Sequence, residues 1–296
     1  LTDFIDIDGR TVAYDRAGDG PPLLMLHGFP QMRAMWRPLM PDLAASHTVI
    51  AADLRGYGDS WKPEGVEAMS FRAMAGEMRA LMSALGFARF HLAGHDRGAR
   101  VAHRMALDAP DAVASLTLMD IVPTEHLLST LTHEVARAYY HWFFLAQPAP
   151  FPETMIGHEP SAYFERCLLG FGKASLSDFD ETLLAEYRRA WRDPAAIRAM
   201  CDDYRAAIDV DIVHDRADLD RQVGCPALVL FGADGAMARA MDVPATWAPR
   251  LADMRAASVT GGHFFPDQSP DETAAALLAF VRDISVLAPA ARPHPS

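Results

Sequence analysis

Cysteine is scarce in this 296-residue chain. Cys167, Cys201 and Cys225 are odd in number, widely spaced and never paired as CxxC, which argues against a disulfide framework and against a cysteine zinc site. Excess positive charge is missing too: the formal net charge is −12 and no basic tract occurs, so neither nucleic acid nor a membrane surface is expected as a partner. No apolar run is long enough to span a bilayer. The opening LTDFIDIDGR has neither a basic n-region nor an apolar h-region and is not expected to be a secretory leader. The histidines lack metal-ligand spacing, and LAGHDRGAR lacks the GK[ST] ending of a phosphate loop, so no metal and no organic cofactor is expected. These absences fit a protein of the reducing cytoplasm. With half its residues hydrophobic and a mean hydropathy of 0.00, the chain can bury one large core. An acidic protein that takes an anionic substrate must attract it through a few placed cations.

Short β-rich runs alternate with longer helical patterns, the signature of an α/β fold with a mostly parallel sheet. The expected strands are FIDIDG, TVAYDRAG, LLMLHG, HTVIAADL, FHLAGHD, SLTLMD, ALVLFG and MRAASV. Between them FRAMAGEMRALMSAL and ARVAHRMALDAP carry apolar residues at helical spacing. The alternation stops after Asp120. Residues 123–220 read as an inserted helical cap, rich in aromatics, and 1–122 with 221–296 as the core that carries it. A cap inserted there is expected over the carboxyl ends of the strands, where α/β sheets bind ligands. The tail APAARPHPS reads as disordered.

The stretch HLAGHDRGAR, His91 to Arg100, has the frame of a nucleophile elbow, a sharp strand-to-helix turn that presents its central side chain above the sheet. Gly94 and Gly98 supply the small neighbours. Serine is absent from the centre, and Asp96 stands there. Aspartate is ionised at neutral pH and needs no base to activate it, so it can displace a leaving group from a saturated carbon and become an ester. His263, behind two glycines in VTGGHFFPDQSP after the last strand, then activates water for hydrolysis of that ester. The backbone N–H groups of Phe29, in LHGFP, and Arg97 are placed to form the oxyanion hole. The histidine needs an orienting acid. Asp120, at the end of SLTLMD, is preferred; Asp234, in FGADGAM, is the other candidate, one residue short of the usual G-x-x-D spacing.

Arg97 follows the nucleophile, and Arg100 lies one helical turn down on the same face. Two guanidiniums converging there suit bidentate capture of a substrate carboxylate, as a 2-haloacid would offer.

Taken together, GHDRGAR, HGFP, LMDIVPT, YYHWFF, WRDP, CDDYRA and GGHFF resemble the fluoroacetate (haloacetate) dehalogenases of the α/β-hydrolase superfamily. The resemblance runs from the second strand to the last helix. Haloalkane dehalogenases and epoxide hydrolases generally carry Trp where Arg97 stands. The resemblance implies the α/β-hydrolase fold, a homodimer, and the conversion of a small anionic haloacid such as fluoroacetate or chloroacetate to the 2-hydroxy acid, glycolate, plus halide. It also assigns halide binding to His141, Trp142 and Tyr204, all hydrogen-bond donors. One departure stands out: the family often has Trp between two glycines where LLGFGKA has Phe171, which bears on pocket size and on the choice of halogen.

Three other readings compete, one of them a haloalkane dehalogenase for neutral substrates, which would carry Trp where Arg97 stands. A soluble epoxide hydrolase would share Asp96, His263 and the oxyanion hole and use Tyr204, with Tyr140 as a second, to protonate the epoxide oxygen. A non-catalytic receptor could reuse the fold, since fold does not dictate function.

Overall fold

The computed structural model describes residues 2–170, 174–282 and 284. All eight expected strands are present, in one sheet of order β1-β2-β4-β3-β5-β6-β7-β8. β1 (Thr2–Ile7) and β2 (Arg10–Ala17) form an antiparallel hairpin closed by Asp8-Gly9, both at positive φ, the backbone that a tight two-residue turn requires. β2 runs antiparallel to β4 (Thr48–Ala52). From there β3 (Pro22–Leu26), β5 (Phe90–His95), β6 (Val113–Met119), β7 (Ala227–Gly232) and β8 (Met254–Val259) all lie parallel. The four central strands β3 to β6 are buried along their whole length, which is why they read as unbroken apolar runs rather than as alternating ones.

Helices Phe71–Ala84 and Arg97–Asp108 pack on the sheet, the first presenting a buried stripe and the second buried on nearly every face. Between β6 and β7 the described residues form helices and turns, from Thr124–Ser129 to Ile212–Ala217, with no strand among them. This helical insertion is fastened to the loops at the strand ends: the Trp191 indole donates to Pro30 O at 2.6 Å, and the hydroxyl of Tyr57, after β4, donates to Asp203 at 2.5 Å. Among the described residues no helix is long and apolar enough to cross a membrane. Phe171 and the tail 288–296 lie outside the described residues.

Candidate active site

β5 ends at His95, and the helix Arg97–Asp108 begins two residues later, so the whole reversal falls on Asp96, at φ 48° and ψ −115°. A side chain held in so sparsely populated a conformation costs on the order of 1–3 kcal/mol and persists only where its surroundings enforce it. Here the enforcement is close packing. A Cβ on Gly94 would run into the backbone of Gly98, and one on Gly98 into the carbonyls of Leu26 and His27. The same holds for Gly28, where a Cβ would overlap Asp96 Cβ and stand 2.7 Å from its Oδ1.

The two Asp96 oxygens have different surroundings. Oδ1 accepts the Phe29 N–H at 2.9 Å, whereas Oδ2 faces His263 Nε2 at 3.8 Å. On its other side His263 Nδ1 lies 2.7 Å from Asp120 Oδ2, and because a carboxylate only accepts, the proton sits on Nδ1 and Nε2 is left basic. Asp120 is itself held by the Gly232 N–H, which donates to Oδ1 at 2.9 Å. Asp234, the other candidate acid, is exposed; its N–H donates to Gly261 O at 2.8 Å, and His263 is paired with Asp120 instead. Burial opposes ionisation of Asp96, but His263, His95, Arg97 and Arg100 outweigh it and hold the carboxyl at about 2. Burial likewise works against the His263 cation, and the hydrogen bond and charge of Asp120 overcome it, so its pKa is raised.

His95 escaped the sequence reading. Its Nε2–H donates to the backbone O of His263 at 2.8 Å, and burial keeps the ring neutral, with a pKa of about 4. It therefore steadies the His263 loop from the neighbouring strand end. A histidine at the end of a fully buried strand gives no sequence signal of such a contact.

The arginines require a correction. The expected pair of open forks is not what the structure holds. Arg97, fully buried, gives one edge of its guanidinium to Asp203: Nε donates to Oδ2 at 3.0 Å, and Nη2 donates to the backbone O at 2.8 Å and to Oδ1. Arg100 donates from Nη1 to Val122 O at 3.0 Å and Thr124 Oγ1 at 2.7 Å. Nη1 of Arg97 and Nε of Arg100 are buried without a protein partner. Both guanidiniums lie over the Trp142 ring, at 5.1 and 4.8 Å. Burial, with Arg97 alongside, lowers the Arg100 pKa to about 10.

His141, Trp142 and Tyr204 do come together. His141 stacks on Phe29 with ring centroids 5.7 Å apart, and Tyr204 packs edge-on against His141 and Trp142 at 5.6 and 5.4 Å. The Trp142 N–H and the Tyr204 hydroxyl are buried with no protein partner. Desolvation lowers the His141 pKa to about 4, so this ring is neutral, with one N–H to give.

A cavity of about 720 Å³ opens onto this group; its wall includes Asp96, Phe29, Tyr139, His141, His263 and Gly170. Arg97, Arg100, Trp142 and Tyr204 are not on that wall. Tyr204 touches the Phe29 and His141 rings of that wall, and Arg97 and Trp142 pack against Tyr204 in turn.

Comparison with known proteins agrees with this fold. The family model described as alpha/beta hydrolase fold matches residues 21–270. A fluoroacetate dehalogenase of Burkholderia sp. is 52% identical over 95% of this chain and 93% of its own length. A soluble epoxide hydrolase of Corynebacterium sp. is 32% identical, covering 89% and 91%. Among solved structures, an alpha/beta hydrolase of Nostoc sp. superposes with a TM-score of 0.93 at 46% identity, over 95% of this chain and 97% of that one. The chain belongs to the fluoroacetate dehalogenase family of the α/β-hydrolase superfamily, and is accordingly a hydrolase of the carbon–halide class.

Proposed function

We propose that the chain is a haloacetate dehalogenase that converts a small 2-haloacid, fluoroacetate or chloroacetate, to glycolate and halide. The observation that carries this reading is the set of four buried donors without protein partners beside an ionised Asp96: Arg97 Nη1, Arg100 Nε, Trp142 Nε1 and Tyr204 Oη. Leaving buried donors unmade costs about 1–3 kcal/mol each. A cluster of them suits an anionic substrate and an anionic product better than it suits a hydrophobic ligand.

In the first half of the reaction Asp96 Oδ2 attacks the carbon that bears the halogen. The new C–O bond forms as the C–X bond breaks, and halide departs with the bonding pair. Arg97 and Arg100 hold the carboxylate, while His141, Trp142 and Tyr204 donate to the leaving halide, an effect that grows as charge develops. In the second half His263 Nε2 takes a proton from water, whose oxygen attacks Asp96 Cγ. Negative charge collects on Oδ1, where the Phe29 N–H already donates and the Arg97 N–H assists. Collapse breaks the Cγ–Oδ2 bond, and the His263 proton passes to the leaving glycolate oxygen. The two distinct environments of Oδ1 and Oδ2 support this division of labour.

Free Cys167, Cys201 and Cys225 support a reducing, cytoplasmic setting, and the family resemblance supports a homodimer. The test is halide release from fluoroacetate and chloroacetate, with chlorobutane as neutral control. Halide from either acid with chlorobutane inert is expected; one turnover in isotopically labelled water should place the label in Asp96. Silence on both acids, with diol formed from an epoxide, would favour the epoxide hydrolase reading, for which the unpartnered Tyr204 hydroxyl is the supporting feature.

A further inference from the structure

Arg97 is confined on every side but one. Its guanidinium carbon lies 4.4 Å from the Tyr204 ring centre, 4.6 Å from that of Phe71 and 5.1 Å from that of Trp142, so the aromatic faces box it in. One edge is taken by Asp203 through both carboxylate oxygens and its backbone carbonyl. Asp203 is itself fully buried and pinned by the Tyr57 hydroxyl, which donates to Oδ2 at 2.5 Å. Only Nη1 of Arg97 stays without a protein partner. Asp203 and Tyr204 are adjacent on the helix Pro194–Ala206, so the residue that holds Arg97 is one peptide bond from a buried donor beside the nucleophile.

The geometry points to Asp203 as a positioning residue for the displacement step, a role that rests on the functional reading above. By occupying one edge of Arg97 it fixes a single aimed N–H on the substrate carboxylate. Through the same helix it sets the distance between that N–H and the Tyr204 hydroxyl, and hence between the carboxylate and the halide. An unconstrained Arg97 would grip the carboxylate with its full fork, more tightly and in a different place. Rate in a direct displacement depends on alignment, and a misplacement of about 1 Å can cost roughly a hundredfold.

Two opposed effects follow from Asp203→Asn. Removing a buried negative charge beside Arg97 strengthens anion binding, and releasing the Arg97 edge spoils the attack geometry. We therefore expect kcat on fluoroacetate to fall at least fivefold, while the Kd of glycolate, titrated calorimetrically, stays level or falls. A purely structural role would weaken both together. Tyr57→Phe keeps the ring, deletes only the O–H on Asp203, and should lower kcat at least twofold at unchanged glycolate affinity; it decides the matter where Asp203→Asn does not fold. A kcat loss below these thresholds, or kcat and glycolate affinity lost in step, overturns the proposal. A wild type inert on both haloacids overturns the functional reading and this one with it, whereas an active wild type with an equally active variant overturns Asp203 alone.

Discussion

Replacing Asp120 by asparagine should separate the two halves of the reaction. The native Oδ2 accepts from His263 Nδ1 at 2.7 Å, and Oδ1 is committed to the Gly232 N–H, so the asparagine amide nitrogen would have to face Nδ1. An N–H there forces the histidine proton onto Nε2, the atom that faces Asp96 at 3.8 Å and must accept a proton from water. Loss of the charge-assisted hydrogen bond alone is worth about 1.5–3 kcal/mol, and the inverted tautomer adds to it. Together they should slow ester hydrolysis by roughly a thousand- to ten-thousandfold. Ester formation should suffer little, because Arg97 and Arg100 still favour the Asp96 carboxylate whatever the charge on His263. In a quenched-flow assay with chloroacetate, Asp120→Asn should release one equivalent of chloride per active site and stop. Intact-mass measurement should then show a carboxymethyl adduct on the peptide that contains Asp96. Steady turnover above a tenth of the wild-type rate, or a variant with neither burst nor adduct, would refute the assignment of Asp120 to His263.

Since Asp96 is held at about 2, the acid limb of kcat should belong to His263, rising with pH through a pKa above the ordinary histidine value; a pH–rate profile checks this. The His263 contribution to stability runs the other way: it is present in acid and fades as pH rises through the same raised pKa, so thermal melts and rates should move oppositely. Gly28→Ala, which drives a methyl group into Asp96, should cut halide release by about a hundredfold or more, and retention of a tenth of the activity would show that the elbow can yield. Asp267, half-buried with Gln31 as its hydrogen-bond donor at 2.8 Å, has its carboxyl pushed up to about 7 by desolvation. The folded state therefore loses stability as pH rises from about 4, the unfolded value, toward that point. Asp267→Asn should match the wild type near the lower end and melt at a higher temperature above it; a difference that does not widen with pH would contradict the burial argument.

Much of this was legible in the sequence because the informative signals are local. A parallel strand buried on both faces has to be an apolar run, and an elbow has to have small residues at Gly94 and Gly98, so both are written into a few consecutive letters. Asp120 could be preferred over Asp234 for a similar reason, since it closes a strand whose end is fixed by the sheet. Asp234 falls in an exposed turn that its own N–H bond to Gly261 helps to shape. Arg97 was only half legible. Its place after the nucleophile is local, but its acceptor lies 106 residues further on, and nothing in CDDYRA distinguishes the acid that meets it. His95 and Tyr57 were missed on the same ground: each acts through one contact made by tertiary packing, with no repeat or spacing to announce it.

The chain order of these groups has a consequence for transplantation. Asp96, Asp120 and His263 all lie outside the stretch between β6 and β7, so a foreign helical segment spliced in there would leave the three of them standing. Arg97 would fare worse, because its carboxylate partner travels with the segment that was removed. A buried guanidinium without its counter-ion is destabilising by about 3–5 kcal/mol, a large part of what an ordinary domain has in reserve. A donor segment would therefore have to bring an acid of its own to that spot, and chimaeras lacking one should fail by unfolding although Asp96, Asp120 and His263 are all retained in the chain.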